Sequence, residues 1–367
     1  MSLLRFFEGV TAGDELERVV EYLTSEQEGL LSQVAWLMAE QRSGLGELER
    51  LAIAVDLAEA CRLALGLGPL NDSRKQHRHW PAVVVAGLPR TGTTYLQNLL
   101  ASAGLMTPLG WQVSTSALLD LADGGCVDEN RAVEETNGRY GALRSFCPSL
   151  HEMHPLGAHL VEECTPIFRS TGQHFPWAFM AHIPALTQLL TDDFGTDGHR
   201  HWQNAIELLG PGVATVVKSP IHTGYLSSLF RSDLSIRVVV VRRDIQAVAA
   251  SVGTMIYSIR SGLSGTASVA DAGVTARSVL ESLALAARQS FDETDATRLL
   301  VLGFEDVVRS PCSAVRDVGN FLGLTLGTPR SSVGPDSGEY RILAANDLGI
   351  SQDWCEMMRE LAPELAQ

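Results

Sequence analysis

The pattern of apolar and polar positions divides the chain into helical ends and a middle built of strand–helix units. Four short runs rich in β-branched residues are bounded by turn residues, as expected of strands buried in a parallel sheet. They lie near residues 82–86, 213–217, 236–241 and 299–304. Apolar residues between them recur at helical spacing, so the chain predicts a three-layer α/β/α fold with a central parallel sheet.

The same pattern predicts one domain in three parts. Residues 1–80 are expected to form an N-terminal helical layer, 81–325 the α/β core, and 326–367 a C-terminal loop and helix. The polar, locally basic connector Asn71–His79 is expected to be a solvated loop. Ser261–Thr275, rich in glycine, serine and alanine, predicts either a mobile loop that closes over a ligand or a disordered stretch.

Composition narrows the class of protein. Of the 367 residues 45% are hydrophobic and 19% charged, which is ordinary for a globular protein. A formal net charge of −15 disfavours a nucleic-acid binder, which needs clustered lysine and arginine. No apolar run approaches the ~20 residues of a membrane span, and the first residues lack the pattern of a secretion signal. We therefore expect a cytoplasmic protein without a membrane span.

The cysteines and histidines give no sign of a metal centre. The six cysteines are scattered and none forms a C-x-x-C pair. Reduced thiols are therefore favoured over a disulfide framework or a zinc site. We expect no metal in the protein's chemistry.

The first chemical signal is a glycine-containing turn between a strand and a helix. Val83–Val85 precede it, Gly87 and Gly92 bound it, and a helix is predicted from Thr93. Backbone N–H groups at such a helix start bind anions. The spacing fits a P-loop, but Thr93 replaces the lysine that reaches the outer phosphates of a nucleoside triphosphate. The positive charge lies inside the turn instead, on Arg90.

A second signal follows the strand at Ile236–Val241. Arg243 comes directly after it, and Ser251 lies eight residues further on, two turns into the next predicted helix. These two side chains can converge on one phosphate. The pair fits an additional phosphate on a nucleotide whose diphosphate-like group lies in the first loop.

These segments resemble the P-loop-NTPase-like sulfotransferases that use 3′-phosphoadenosine 5′-phosphosulfate (PAPS), and in particular their bacterial, mostly actinobacterial branch. Pro89–Thr94 is similar to the 5′-phosphosulfate loop of that family in its arginine-bearing form, and Arg243 with Ser251 to its 3′-phosphate motif. The resemblance extends from about Pro81 to Leu324. It implies PAPS as donor, released as adenosine 3′,5′-bisphosphate, and a donor site of seven residues. They are Arg90, Thr91, Gly92, Thr93, Thr94, Arg243 and Ser251.

The resemblance also implies catalytic residues. Lys218-Ser-Pro-Ile-His222 matches a K-x-P-x-H pattern of the family at a strand end. In-line sulfuryl transfer, like phosphoryl transfer, depends on positioning and on stabilisation of charge. Lys218 is expected at the transferring group and Arg90 at the 5′-phosphate. A histidine suits proton removal near neutral pH, so His222 is the first candidate for the general base and Glu162 the second.

Three further positions carry weaker expectations. Gln112 stands where relatives often have glutamate; it cannot take the acceptor's proton, but it can hydrogen-bond an acceptor hydroxyl. Glu163, next to Glu162, is expected to cap a helix or make a structural hydrogen bond, with a catalytic role as the alternative. Arg330 lies in a late turn-rich segment, where many sulfotransferases have a loop that closes on the 3′-phosphate, although the match is poor.

The sequence thus predicts a PAPS-dependent sulfotransferase acting on a hydroxyl of a small molecule. A sugar, lipid, phenol or secondary metabolite would all fit as acceptor, and the oligomeric state is open, a homo-oligomer included. Two alternatives remain. One is a P-loop NTPase or nucleotide kinase, against which Thr93 counts. The other is a non-catalytic PAPS-binding protein, which Gln112 keeps under consideration.

Overall fold

The computed structural model of the chain describes residues 29–67, 83–194, 216–232, 236–292, 295–330 and 341–367. The helices predicted before residue 29 and the connector at 71–79 lie outside the described residues. Among the described helices none is long and apolar enough to cross a membrane.

Short and long helices surround four strands. In chain order the elements are α1 (Leu30–Gln41), α2 (Glu47–Leu67), β1 (Val83–Ala86), α3 (Thr93–Ser102), α4 (Thr115–Ala122), α5 (Glu129–Phe146), α6 (Pro148–Met153), α7 (Trp177–Met180), α8 (Pro184–Asp192), β2 (Val216–Lys218), α9 (Leu226–Ser232), β3 (Arg237–Arg242), α10 (Ile245–Ser264), α11 (Val269–Asp292), β4 (Leu299–Gly303), α12 (Phe304–Arg309), α13 (Pro311–Leu322) and α14 (Gln352–Leu361). Short 3₁₀ helices lie at 110–113, 165–171 and 220–225.

The strands form one parallel sheet in the order β2-β1-β3-β4. Val84 of β1 pairs with Val217 on one side and with Val238 on the other. Parallel strands present their carboxyl ends at one edge, where open α/β sheets bind ligands. The order therefore places the residues that follow β2, β1 and β3 next to one another, and the predicted fold class is confirmed.

Alternation along the strands divides the core into two layers. Val84 and Val238 belong to the larger cluster, which α10, α11 and the N-terminal helices cover. Val83 and Val239 belong to the smaller one, covered by α3 and α13. Helices α1, α2 and α14 each contribute buried side chains to the larger cluster, among them Ile53 and Met358. The terminal helices thus pack on the same core as the sheet.

The prediction of an irregular segment at Ser261–Thr275 is wrong. Helix α10 continues to Ser264, Gly265 ends it in the left-handed conformation at φ +71°, and α11 begins at Val269. The small residues serve close packing: a Cβ atom on Gly273 would lie 1.9 Å from the carbonyl oxygen of Leu348. The small residues that suggested flexibility instead allow α11 to pack closely on the backbone at Leu348.

Replacement of Gly273 by alanine should therefore destabilise the protein, by about 1–3 kcal/mol, because the added methyl group has no space. Thermal unfolding measures the effect. Gly138, inside α5, provides the control, since its Cβ would meet nothing within 4 Å. There G138A should raise the free energy of unfolding by about 0.5–1 kcal/mol. Equal behaviour of the two variants would contradict this packing.

Candidate active site

The turn after β1 is held in a conformation that depends on its glycines. Gly87 has φ +144°, and a Cβ there would lie 2.6 Å from the carbonyl oxygen of Val241. Gly92 has φ +90°, and its Cβ would lie 2.2 Å from the ring of Phe304. Arg90 has φ +69°, the one non-glycine residue with positive φ in the described part of the chain. A side chain larger than hydrogen fits at neither glycine, and the backbone at Arg90 is strained.

Arg90 connects the turn to two other segments. Its Nε donates a hydrogen bond to Ser251 Oγ in α10 at 3.1 Å, and its Nη1 donates to the carbonyl oxygen of Met153 at 2.7 Å. Its own carbonyl accepts from Arg243 Nη1 at 3.1 Å. The Arg243 guanidinium also lies 4.3 Å above the ring of Phe304, the first residue after β4. The structure thus brings Arg90, Arg243 and Ser251 together.

Helix α3 starts at this point. Gly92 is its N-cap in the left-handed conformation, without a side-chain cap. The N–H groups of the first helical turn have no acceptor within their own helix and carry the positive end of the helix dipole. The turn, the helix start and two arginines therefore form a cationic site for anions.

A cavity of about 600 Å³ opens at this edge of the sheet. Eight of the ten predicted site residues line it, and two do not. The eight are Arg90, Gly92, Thr93, Thr94, Glu162, Lys218, Arg243 and Ser251.

Thr91 is one of the two that do not line the cavity. It is fully buried, and its hydroxyl donates to the carbonyl oxygen of Leu88 at 2.8 Å. The side chain thus stabilises the turn from behind rather than facing the cavity.

His222 is the other. It lies in the 3₁₀ helix that follows β2, has 0% of its surface exposed, and its Nε2 lies 3.1 Å from Cys164 Sγ. The edge of its ring packs on Phe168. Burial lowers the pKa of His222 to about 3. A hydroxyl in the cavity has no access to this imidazole, so the structure argues against His222 as general base.

Lys218, at the end of β2, is paired with Glu163. Its Nζ donates to Glu163 Oε1, and only 1% of the lysine side chain is exposed. Thr165 donates to the other oxygen of Glu163 at 2.6 Å. Burial raises the pKa of Glu163, but the Lys218 ammonium, His154 and these hydrogen bonds outweigh it and lower the pKa to about 2. Glu163 is thus an ionised partner of Lys218 rather than a helix cap.

Glu162 points to the other side of the same segment. Its Oε2 accepts from the Tyr140 hydroxyl at 2.7 Å, and its Oε1 accepts from the N–H of Glu163 at 2.8 Å. His154 Nε2 lies 3.5 Å from the same Oε1. The sequence analysis assigned no role to His154 or to Tyr140.

Two weaker expectations are not met. Gln112 does not line the cavity: its Oε1 accepts from the N–H of Leu109 at 2.8 Å and fixes a 3₁₀ turn. Arg330 lies beside the end of α3, where its N–H donates to Ser102 Oγ at 3.1 Å, and it borders a separate small pocket. The ten residues that follow, 331–340, lie outside the described part.

A charge network that the sequence did not suggest supports the wall of the cavity. Asp56 of α2 accepts from Arg139 at 2.5 Å, from Arg169 at 3.2 Å and from the Trp177 indole at 2.5 Å. Burial raises the pKa of Asp56, yet the two arginines outweigh it and hold this pKa well below its ordinary value. The network joins α2 to the helices that border the cavity.

The family of the chain follows from comparison with known proteins. A model described as "Sulfotransferase family" matches residues 81–328, more than half of the chain. The chain therefore belongs to the sulfotransferase family, and the family resemblance is confirmed. It is a sulfotransferase, an enzyme that transfers a sulfuryl group from a donor to an acceptor.

Solved structures share the fold at low identity. Sulfotransferase STF1 from Mycobacterium tuberculosis H37Rv is 18% identical with a TM-score of 0.61, over 98% of this chain and 92% of that one. Sulfotransferase STF9 from Mycobacterium avium is 13% identical with a TM-score of 0.64, over 98% and 94%. No curated protein sequence matches at a significant level.

The ion pair of Glu163 predicts a pH-dependent stability. Replacement by glutamine leaves the buried Lys218 ammonium without its carboxylate, and E163Q should cost about 3 kcal/mol at pH 7. The unfolded chain binds the Glu163 proton near pH 4.5 and the folded chain near pH 2. The contribution is therefore complete above pH 4.5 and lost as the pH falls towards 2.

Urea unfolding of both proteins from pH 7 down to pH 3 measures this difference. It should shrink steadily below pH 4.5. Glu152 is an exposed glutamate nearby, and E152Q should leave stability unchanged over the same range. A difference between E163Q and the parent protein that stays constant with pH would show that the pair does not stabilise the fold.

Proposed function

We propose that this enzyme transfers the sulfuryl group of PAPS to a hydroxyl of a small molecule, with adenosine 3′,5′-bisphosphate and a sulfate ester as products. The observation that carries the proposal is the convergence of Arg90, Arg243 and Ser251 beside the start of α3. Two cationic side chains and a helix N-terminus at one edge suit a nucleotide with phosphates at two positions.

The donor would bind along this edge. The N–H groups at the start of α3, with Arg90, Thr93 and Thr94, hold the 5′-phosphosulfate. Arg243 and Ser251 hold the 3′-phosphate. Thr91 contributes through the shape of the turn, since its side chain is bonded to Leu88.

Lys218 would act on the transferring group. It lines the cavity at the end of β2, the strand next to β1. The turn that follows β1, from Gly87 to Gly92, is called the donor turn below. A fixed ammonium at the end of β2 stabilises the charge that develops on the sulfuryl oxygens and on the leaving phosphate. Glu163 keeps the ammonium in place, and Glu162 takes part in removal of the acceptor's proton. Arg90, Lys218 and Arg243 supply the positive charge, so the reaction needs no metal.

The acceptor side of the cavity favours an apolar body. Along one face of α10, Ser251 is followed by Met255 and Ile259, which also line the cavity. Eight helical residues span about 12 Å, so the wall becomes apolar with distance from the donor turn. Phe175 and Phe179 extend this surface. A phenol, lipid or apolar secondary metabolite fits this wall better than a free sugar.

Two alternatives have less support. Thr93 occupies the position of the P-loop lysine, which disfavours an NTPase or kinase. A non-catalytic PAPS-binding protein would not need a buried lysine beside the donor turn. We further propose that the enzyme acts in the cytoplasm, because all six cysteines are free thiols, as suits a reducing compartment.

Calorimetry with adenosine 3′,5′-bisphosphate, ATP and ADP tests the donor. The bisphosphate should bind most tightly, and R243A should weaken it about 10- to 100-fold, because a charge-assisted hydrogen bond is lost. Arg242, the preceding residue, does not line the cavity, and R242A is the matched control. Preference for ATP with Mg²⁺ would overturn the proposal. Tight binding of PAPS without transfer to any hydroxyl would support the non-catalytic alternative.

A further inference from the structure

Sulfuryl transfer to a hydroxyl needs a group that takes the hydroxyl proton, and three candidates are already engaged. His222 is enclosed behind the cavity. Glu163 gives its oxygens to Lys218 and Thr165. Glu162 gives one oxygen to Tyr140 and the other to the N–H of Glu163. Glu162 lines the cavity, but only 5% of its side chain is exposed and both of its oxygens already accept hydrogen bonds.

His154 is placed differently. Its side chain lines the cavity and is 20% exposed. Its Nε2 lies 3.5 Å from Glu162 Oε1. A carboxylate only accepts hydrogen bonds, so Nε2 carries the proton of this contact and Nδ1 keeps the lone pair. A histidine whose one nitrogen is held by a buried carboxylate has the arrangement of a general base and its orienting group.

The backbone around His154 is fixed by the donor side of the site. Arg90 donates to the carbonyl oxygen of Met153, the residue before it, at 2.7 Å. The N–H of His154 itself donates to the carbonyl oxygen of Leu150 at 2.8 Å. The residue that we expect at the 5′-phosphate thus also holds the histidine segment in place.

We propose that His154 is the general base of this sulfotransferase and that Glu162, itself held by Tyr140, is its positioning residue. The assignment rests on the proposed function. The hydroxyl oxygen forms a bond to sulfur, and the bond from sulfur to the bridging oxygen of the donor breaks. That electron pair leaves on the 5′-phosphate, and the hydroxyl proton passes to Nδ1 of His154.

Charged and titratable groups on the neighbouring elements line the same cavity as His154. Glu162 and Glu163 lie on the segment opposite, and Tyr140 on α5. Arg90 contacts the adjacent carbonyl from the donor turn, and Lys218 faces the cavity from β2. The Glu162 carboxylate, 3.5 Å from Nε2, is placed to stabilise the imidazolium that forms in the reaction.

The first experiment compares H154Q with H159Q. His159 is an exposed histidine on the same segment that does not line the cavity. The assay follows formation of adenosine 3′,5′-bisphosphate from PAPS with 2-naphthol and with 4-nitrophenol. H154Q should lower kcat with 2-naphthol by about 100-fold or more, with little change in KM or in bisphosphate affinity. H159Q should match the parent protein.

Two readouts separate a base from a structural residue. With 4-nitrophenol, which is largely ionised at mildly alkaline pH and needs no base, H154Q should be slowed far less. The acid limb that a histidine gives to the pH dependence of kcat, between about pH 5 and 8, should disappear in H154Q. Added imidazole should restore part of the activity of H154A.

The role of Glu162 is tested without an acceptor. In nitrogen NMR spectra of the protein, recorded with and without adenosine 3′,5′-bisphosphate, neutral His154 should carry its proton on Nε2. In E162Q this preference should weaken, and kcat should fall with KM largely unchanged. A proton on Nδ1 in the parent protein would overturn the pairing.

The outcomes distinguish the two proposals. If the parent protein neither binds the bisphosphate nor transfers to either phenol, the proposed function fails, and the tautomer of His154 still decides the pairing. If the parent protein transfers sulfate and H154Q does so equally well, His154 is not the base while the proposed function stands. A loss of bisphosphate binding in H154Q would also overturn the assignment, since it would show a structural role.

Discussion

The site depends on the conformation of one residue, Arg90. Its backbone lies in the left-handed region at φ +69°, a conformation that costs about 1–3 kcal/mol and persists only where the surroundings enforce it. The hydrogen bonds to Ser251, to Met153 and from Arg243 provide that enforcement. The same bonds hold the donor turn, α10 and the segment of His154 together, so the strain is tied to the assembly of the whole site.

Glu162 and Glu163 are adjacent carboxylates, and their different partners give them different environments. Glu163 faces Lys218 and stays ionised as its counter-ion. Glu162, one residue earlier, turns to Tyr140 and His154. The two side chains take partners on different elements, so one carboxylate lies at Lys218 and the other at Tyr140 and His154. Similar groups with separate environments are a common way to divide chemical roles.

The sheet and the donor turn could be predicted because their signals are local. The valine runs at 83–85 and 238–241 allow little other than buried strands, and a turn bounded by Gly87 and Gly92 before a helix has few uses. The observed strands begin and end within a residue or two of the predicted ones wherever the structure describes them. The segment at 261–275 failed because composition alone cannot show that Gly273 packs against the carbonyl of Leu348.

The contacts around Lys218 and His154 could not be predicted because they join residues far apart in the chain. Arg90 and Met153 are 63 residues apart, Glu163 and Lys218 are 55 apart, and no periodicity records such pairs. His222 shows that a local sequence pattern does not determine whether a side chain reaches the cavity. The chain after Lys218 enters a 3₁₀ helix at Pro220, and its tighter turn directs the imidazole away from the cavity and towards Cys164. A histidine four residues after Lys218 can therefore belong to the core, while His154, far earlier in the chain, lines the cavity.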